Sequence, residues 1–111
     1  MCGFVGFTNN INDASIIIDE MTDKIAHRGP DSSGKYVDGK IALGFRRLSI
    51  IDLSQGDQPL FNEDKSIVLV FNGEIYNFQS LRDELIKSGH VFTTRTDSEV
   101  LIHGYEQWGK A

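Results

Sequence analysis

Apolar residues open the chain in a tight group from Cys2 to Phe7, broken only by Gly3 and Gly6, and this short run predicts a strand. Behind it Ile17, Ile18, Met21 and Ile25 recur at helical spacing, with Asp13 placed as a cap, until the turn formers of "HRGPDSSG" break the pattern. "GKYVDGKIALGF" predicts a hairpin in which Asp38 and Gly39 supply the two positive-φ positions of a type I′ turn, and its second strand continues through "RRLSII". "DLSQGDQP" has the composition of a loop. "SIVLVF" is a continuous apolar run, the pattern of a fully buried strand. Asn77 is placed to cap a helix with Phe78, Leu81 and Leu85 on one face and Gly89 at its end. "VFTT" predicts a further strand, and Thr96 with Glu99 has the spacing of a capping box for a last helix carrying Leu101, Tyr105 and Trp108. Hairpins and short strands followed by helices predict an α+β fold with antiparallel sheet. The pattern stops at "WGKA" with no closing element, so the sequence reads as a piece cut from a larger domain.

Length and composition narrow the classes. The chain of 111 residues is the size of one modest domain, able to bury about two-thirds of its unfolded surface. Eleven basic against sixteen acidic residues leave a net charge of -5, which argues against nucleic-acid or anionic-membrane partners, since both need clustered positive charge. The single cysteine forms no internal disulfide, so nothing points to an oxidising compartment. No run approaches membrane-spanning length and no signal-peptide pattern opens the chain. Cytoplasm is the expected location.

Four stretches can carry chemistry. In "MCGFVG", removal of Met1 would give Cys2 a free α-amine with a pKa of about 8, a built-in general base beside its own thiol; the plain alternative is an inert cysteine in an edge strand. In "VFNGEIYN", Asn72 and Gly73 can close a hairpin or offer two donors to an oxyanion. In "GFRRLSIID", Arg46 and Arg47 are strand neighbours and so point to opposite faces, one of them free to grip a carboxylate; "RRLS" also resembles a basic kinase-substrate site, but its apolar neighbours place it inside a strand. In "TRTDSE", Asp97 either caps a helix or holds an ammonium group. His27 could pair with Cys2 or simply order its turn-rich loop. Glu99 and His103 stand four apart on one helix face, but two ligands do not make a metal site, so no metal is expected.

Taken in order, "MCGFVG", "HRGPDSSG", "RLSIIDLSQGDQP", "FNGEIYN" and "TDSE" resemble the glutaminase domain of glutamine-dependent asparagine synthetases, class II glutamine amidotransferases among the N-terminal-nucleophile hydrolases. The resemblance covers Cys2 to about Trp108. It implies an α+β fold of the four-layer αββα sandwich type, of which residues 1–111 form the N-terminal, incomplete part, with the synthetase domain absent. It implies Cys2 as nucleophile, Asn72 and Gly73 as the oxyanion hole, and Arg47 as the ligand of the substrate α-carboxylate. The segment Leu48, Ser49, Ile50 and Ile51 would line the pocket, and Gly73, Glu74 and Asp97 would surround the α-ammonium. No histidine is needed. Glutamine is the implied substrate; no cofactor is expected in this part, with ATP and magnesium serving only a synthetase domain in cis. A homodimer is a candidate assembly. Two rivals stay open: an amidotransferase of the same branch acting on a sugar, peptide or antibiotic precursor, and a non-catalytic, truncated glutamine-binding module.

Overall fold

In the computed structural model, which describes residues 2–8, 12–48 and 58–110, the opening apolar run becomes a strand, β1 (Gly3–Thr8). The helical repeat behind it forms α1 (Ala14–Lys24), followed by a 3-10 turn at Ala26–Arg28, β2 (Ser32–Val37) and β3 (Ile41–Arg47). These belong to the first of two units, Met1–Pro59 with Val70–Asn72; the second is Leu60–Leu69 with Gly73–Ala111.

In the first unit β3 is the central strand of a three-stranded antiparallel sheet ordered β1-β3-β2. Its register sets Gly3 opposite Arg46 and Val5 opposite Gly44. Helix α1 packs on the face that carries Gly44, where a Cβ would run into the Thr22 hydroxyl and come within 3.4 Å of Ile18. Ile18, Ala42 and Phe45 are buried in this unit, and burying a side chain the size of Ile18 contributes about 2 kcal/mol. Thr22, also buried, donates its hydroxyl to the Ile18 carbonyl at 2.6 Å, so no polar atom is left unsatisfied there.

The glycine of "HRGPD" is dictated by packing. A Cβ on Gly29 would sit 2.5 Å from the Arg47 nitrogen and 2.6 Å from the Arg46 oxygen, so only a bare backbone can pass β3 at this point. Two local expectations fail in this unit. Asp13 does stand at the start of α1, but in the left-handed region at φ 61 and without a side-chain cap bond; its carbonyl, not its carboxylate, meets the helix, accepting from Ile17 N–H at 3.0 Å. The hairpin forms, yet neither Asp38 nor Gly39 has positive φ. The Asp38 carboxylate closes the turn instead, accepting Lys40 N–H at 2.7 Å and Ile41 N–H at 2.9 Å. Those two bonds, with a third from the Tyr36 hydroxyl, hold its carboxyl below the ordinary range.

The second unit holds a two-residue ladder, β4 (Leu60–Phe61) with β5 (Val68–Leu69), and two helices, α2 (Phe78–Lys87) and α3 (Glu99–Trp108). The run "SIVLVF" is therefore half-buried and pairs over two residues only, because its partner is that short. Helix α2 presents Leu85 to the core and ends where Gly89 takes φ 99, as expected; Asn77 precedes it but makes no side-chain cap bond. Among the described residues no strand follows Gly73, so Asn72-Gly73 does not close a hairpin.

Glu99 explains two further departures. "VFTT" is not a strand, because the N–H groups of Thr93 and Thr94 donate to the Glu99 carboxylate at 2.9 and 2.7 Å. For the same reason there is no capping box: Ser98 begins α3, and Glu99 turns to Thr93, Thr94 and His103 rather than back to Thr96. Helix α3 buries Glu99, Val100, Ile102 and His103, while Leu101, Tyr105 and Trp108 remain partly exposed, the reverse of the expected face. No helix among the described residues is long and apolar enough to cross a membrane.

Burial alone would raise the Glu99 carboxyl, but hydrogen bonds from Thr94, Thr93 and His103 outweigh it and hold the group below its ordinary range. A carboxyl so depressed adds stability that is complete above its unfolded pKa of about 4.3 and is lost as pH falls through the folded value. We predict that Glu99→Gln costs about 1–3 kcal/mol at neutral pH and flattens the acid limb of the urea-unfolding free energy; an acid limb identical to the parent's would contradict this. Gly29→Ala should cost about 1–3 kcal/mol by forcing the "HRG" turn off β3, read as a lower thermal midpoint with α1 and the sheet retained by circular dichroism.

Candidate active site

Cys2 stands one residue before β1, and continuing the register one step sets it across from Arg47 at the end of β3. Its half-buried sulfur accepts the Leu48 N–H at 3.4 Å, and the thiol lies 3.8 Å from the Leu48 carbonyl. The Cys2 carbonyl accepts from Arg28 Nε at 3.2 Å, so backbone and side chain are both held. An N–H aimed at sulfur meets negative charge if the thiol ionises. His27 is exposed on the 3-10 turn, and the sulfur's bonds go to the backbone of Leu48, not to a ring.

The two arginines of "RRL" separate as strand alternation requires. Arg46 lies on the α1 face with Gly44 and donates from Nε to the Gly29 carbonyl at 2.9 Å. Arg47 takes the other face with Phe45 and is buried to 8% exposure; its own carbonyl accepts Asp31 N–H at 3.0 Å. Ser49, Ile50 and Ile51 lie outside the described residues.

Asn72 is the last residue of the first unit and half-buried. Its position is fixed by a residue that the sequence did not signal. The Gln58 side chain accepts Phe71 N–H at 2.5 Å and donates to the Phe71 carbonyl at 3.1 Å, a two-point clamp on the residue before Asn72. Gln58 lies in the quoted stretch "DLSQGDQP", where it has no assigned role of its own, and its use depends on a contact thirteen residues away.

Within the second unit, Gly73, Glu74 and Asp97 line one cavity of about 480 Å³ together with Ile75, Tyr76 and Phe78. Asp97 does not cap α3 with its side chain. Its Oδ2 accepts the Ile75 N–H at 2.8 Å, which ties the loop after Gly73 to the turn before α3. The carboxylate thus has one backbone partner and stands at a cavity wall, an arrangement able to meet a cation. The structure brings together Cys2 with Leu48, and separately Gly73 with Glu74 and Asp97.

The sequence of the whole chain, residues 1–111, matches the model of the glutamine amidotransferase domain. It is 47% identical to "Asparagine synthetase [glutamine-hydrolyzing] 1" of Bacillus subtilis (strain 168), covering 97% of this chain and 18% of that protein. It is 45% identical to the protein of the same name from Arabidopsis thaliana, covering 98% of this chain and 19% of the relative. The nodule asparagine synthetase [glutamine-hydrolyzing] of Pisum sativum is 43% identical over 99% of this chain and 19% of its own length. The chain thus spans about a fifth of the length of the curated relatives it matches. Matched to that domain from end to end, the chain belongs to the glutamine amidotransferase domain family.

Proposed function

We propose that the chain is the glutaminase portion of an asparagine synthetase of the glutamine-hydrolysing kind. The observation that carries the reading is the placement of the lone cysteine: in a chain of this family, Cys2 stands at the head of β1 with its sulfur against the Leu48 N–H. Once Met1 is removed, the α-amine of Cys2 takes the thiol proton and the thiolate attacks the carboxamide carbon of glutamine. Negative charge on the tetrahedral oxygen meets the Asn72 side-chain NH2 and the Gly73 N–H, each such donor being worth on the order of a hundredfold in rate. The C–N bond breaks, the ammonium form of the amine returns its proton to the leaving nitrogen, and ammonia departs. Water then cleaves the thioester on Cys2 and releases glutamate.

Arg47 binds the substrate α-carboxylate with two parallel hydrogen bonds, and Leu48 with Ser49, Ile50 and Ile51 lines the pocket. Gly73, Glu74 and Asp97 surround the α-ammonium; their shared cavity supports that grouping. The α+β architecture is consistent with one portion of a four-layer αββα sandwich. In the full protein the ammonia serves a synthetase domain in cis that uses ATP and magnesium to amidate aspartate, while the hydrolytic step needs no cofactor. The expected compartment is the cytoplasm, where Cys2 stays reduced, and the homodimer remains a candidate assembly. A different acceptor in the same branch would leave this half of the chemistry unchanged.

The test is ammonia release from glutamine by the chain whose N-terminus mass spectrometry shows to begin at Cys2. Turnover that Cys2→Ala abolishes supports the proposal; a folded, processed chain without turnover supports the non-catalytic module. Arg47→Lys, which keeps the charge and loses the fork, should raise KM by about 10- to 100-fold with a much smaller change in kcat. An unchanged KM would remove Arg47 from the substrate.

A further inference from the structure

The second unit gathers five titratable side chains that the proposed reaction does not use. His103 on α3 is 2% exposed, and both of its ring nitrogens face carboxylates. Nε2 lies 3.0 Å from Glu99 Oε2, while Nδ1 lies 2.9 Å from Glu106 Oε1 and 3.5 Å from Glu63 Oε1. His90, beyond the end of α2, places its ring centroid 5.4 Å from that of His103. Its Nε2 lies 2.9 Å from the Gln107 Oε1, and its Nδ1 lies 3.8 Å from Glu106 Oε1.

The outer contacts decide which nitrogens are available. Glu99 already accepts the Thr93 and Thr94 N–H groups, and as a carboxylate it accepts from His103 Nε2–H as well. Gln107 Oε1 is likewise an acceptor for His90 Nε2–H. Each imidazole thus has its Nε2 beside an oxygen and its Nδ1 on the side of Glu106. An oxygen behind a ring that offers its other nitrogen is the arrangement that orients histidines on metal ions.

The spacing fits as well. Bonds of about 2.0–2.1 Å in a tetrahedral site put neighbouring ligand atoms about 3.3 Å apart, and Glu106 Oε1 lies 2.9 Å from His103 Nδ1 and 3.8 Å from His90 Nδ1, on either side of that value. One ligand atom each from His90, His103 and Glu106 lies within 4.8 Å of the other two. Two imidazoles and a carboxylate suit a borderline cation such as zinc; calcium and magnesium prefer all-oxygen shells. A cavity of about 180 Å³ borders the cluster at Glu63, Thr93, Glu99 and His103.

We propose that His90, His103 and Glu106 bind one divalent cation of the zinc class, with Glu99 and Gln107 orienting the two rings. The three ligands join the segment after α2 to the body of α3, and Glu63 on the turn after β4 stands 3.5 Å from His103 Nδ1. Sequence spacing shows only the pair Glu99 and His103, and of these Glu99 stands behind the ring rather than on the ion. Glu106 follows His103 at i+3 on the same helix, whereas His90 shares no period with them. This inference is independent of the glutaminase reading.

The experiment is calorimetric titration of the metal-free 111-residue chain with zinc chloride near neutral pH. We expect one zinc per chain with a micromolar or tighter Kd, and a higher thermal midpoint in its presence. Glu106→Gln and His90→Gln, at positions not fully buried, should each weaken binding by at least about tenfold. Cys2→Ser should leave stoichiometry and Kd unchanged, because the chain's single thiol is not among the proposed ligands. Zinc-edge X-ray absorption of the unaltered chain should show two imidazoles and only nitrogen and oxygen neighbours. Absence of saturable binding, binding that survives both substitutions, binding lost with Cys2→Ser, or sulfur in the zinc shell would each overturn the proposal.

Discussion

The antiparallel register between β1 and β3 decides where the cysteine stands. Because Gly3 pairs with Arg46, the residue before the strand is carried to the end of β3, and its sulfur meets the Leu48 N–H at 3.4 Å. Slipping that pairing by one residue would turn every β1 side chain to the other face. Packing forbids it: Val5, Gly44, Thr22 and Ile18 interlock on the α1 side, and Gly44 leaves no room for a Cβ. Gly29 seals the same strand end by passing against the backbone of Arg46 and Arg47. A terminal residue that is ordinarily free to fray is held by sheet pairing, by Arg28 and by Leu48.

The second unit is organised around a charge instead of a sheet. Glu99 is buried at 3% exposure, and its carboxylate gathers Thr93, Thr94 and His103. Burying a carboxylate is costly unless it is hydrogen-bonded, and here the donors are backbone groups that a strand would otherwise have used. The same residue thus takes the place of a strand partner before α3 and holds the His103 ring through Nε2. Asp97 acts in parallel on a smaller scale, joining the loop after Gly73 to the start of α3 through Ile75.

These two patterns account for what could be read from the sequence. Elements with strong periodicity, such as α1 with Ile18 and α2 with Leu85, were legible because burial enforces the period. The β2–β3 hairpin was legible too, although the Asp38 carboxylate rather than a positive-φ pair closes it. Illegible were the features in which one side chain replaces backbone pairing: Glu99 at "VFTT", Gln58 at Phe71, and the gathering of His90 with His103. The apolar stripe of α3 misled for a different reason, since Leu101, Tyr105 and Trp108 share a helical face that the described residues leave partly exposed. Of the proposed site, the chemistry-bearing residues were readable from motif order, whereas the contact between Cys2 and Leu48 and the clamp on Phe71 needed the fold.

The most direct test of the account is peptide mapping after exposure of the processed chain to a glutamine analogue carrying a diazoketone in place of the carboxamide. The account predicts a single adduct, on the sulfur of Cys2, whose formation excess glutamine suppresses. An adduct at another residue, none at all, or labelling indifferent to glutamine would contradict the assignment of Cys2 as the nucleophile.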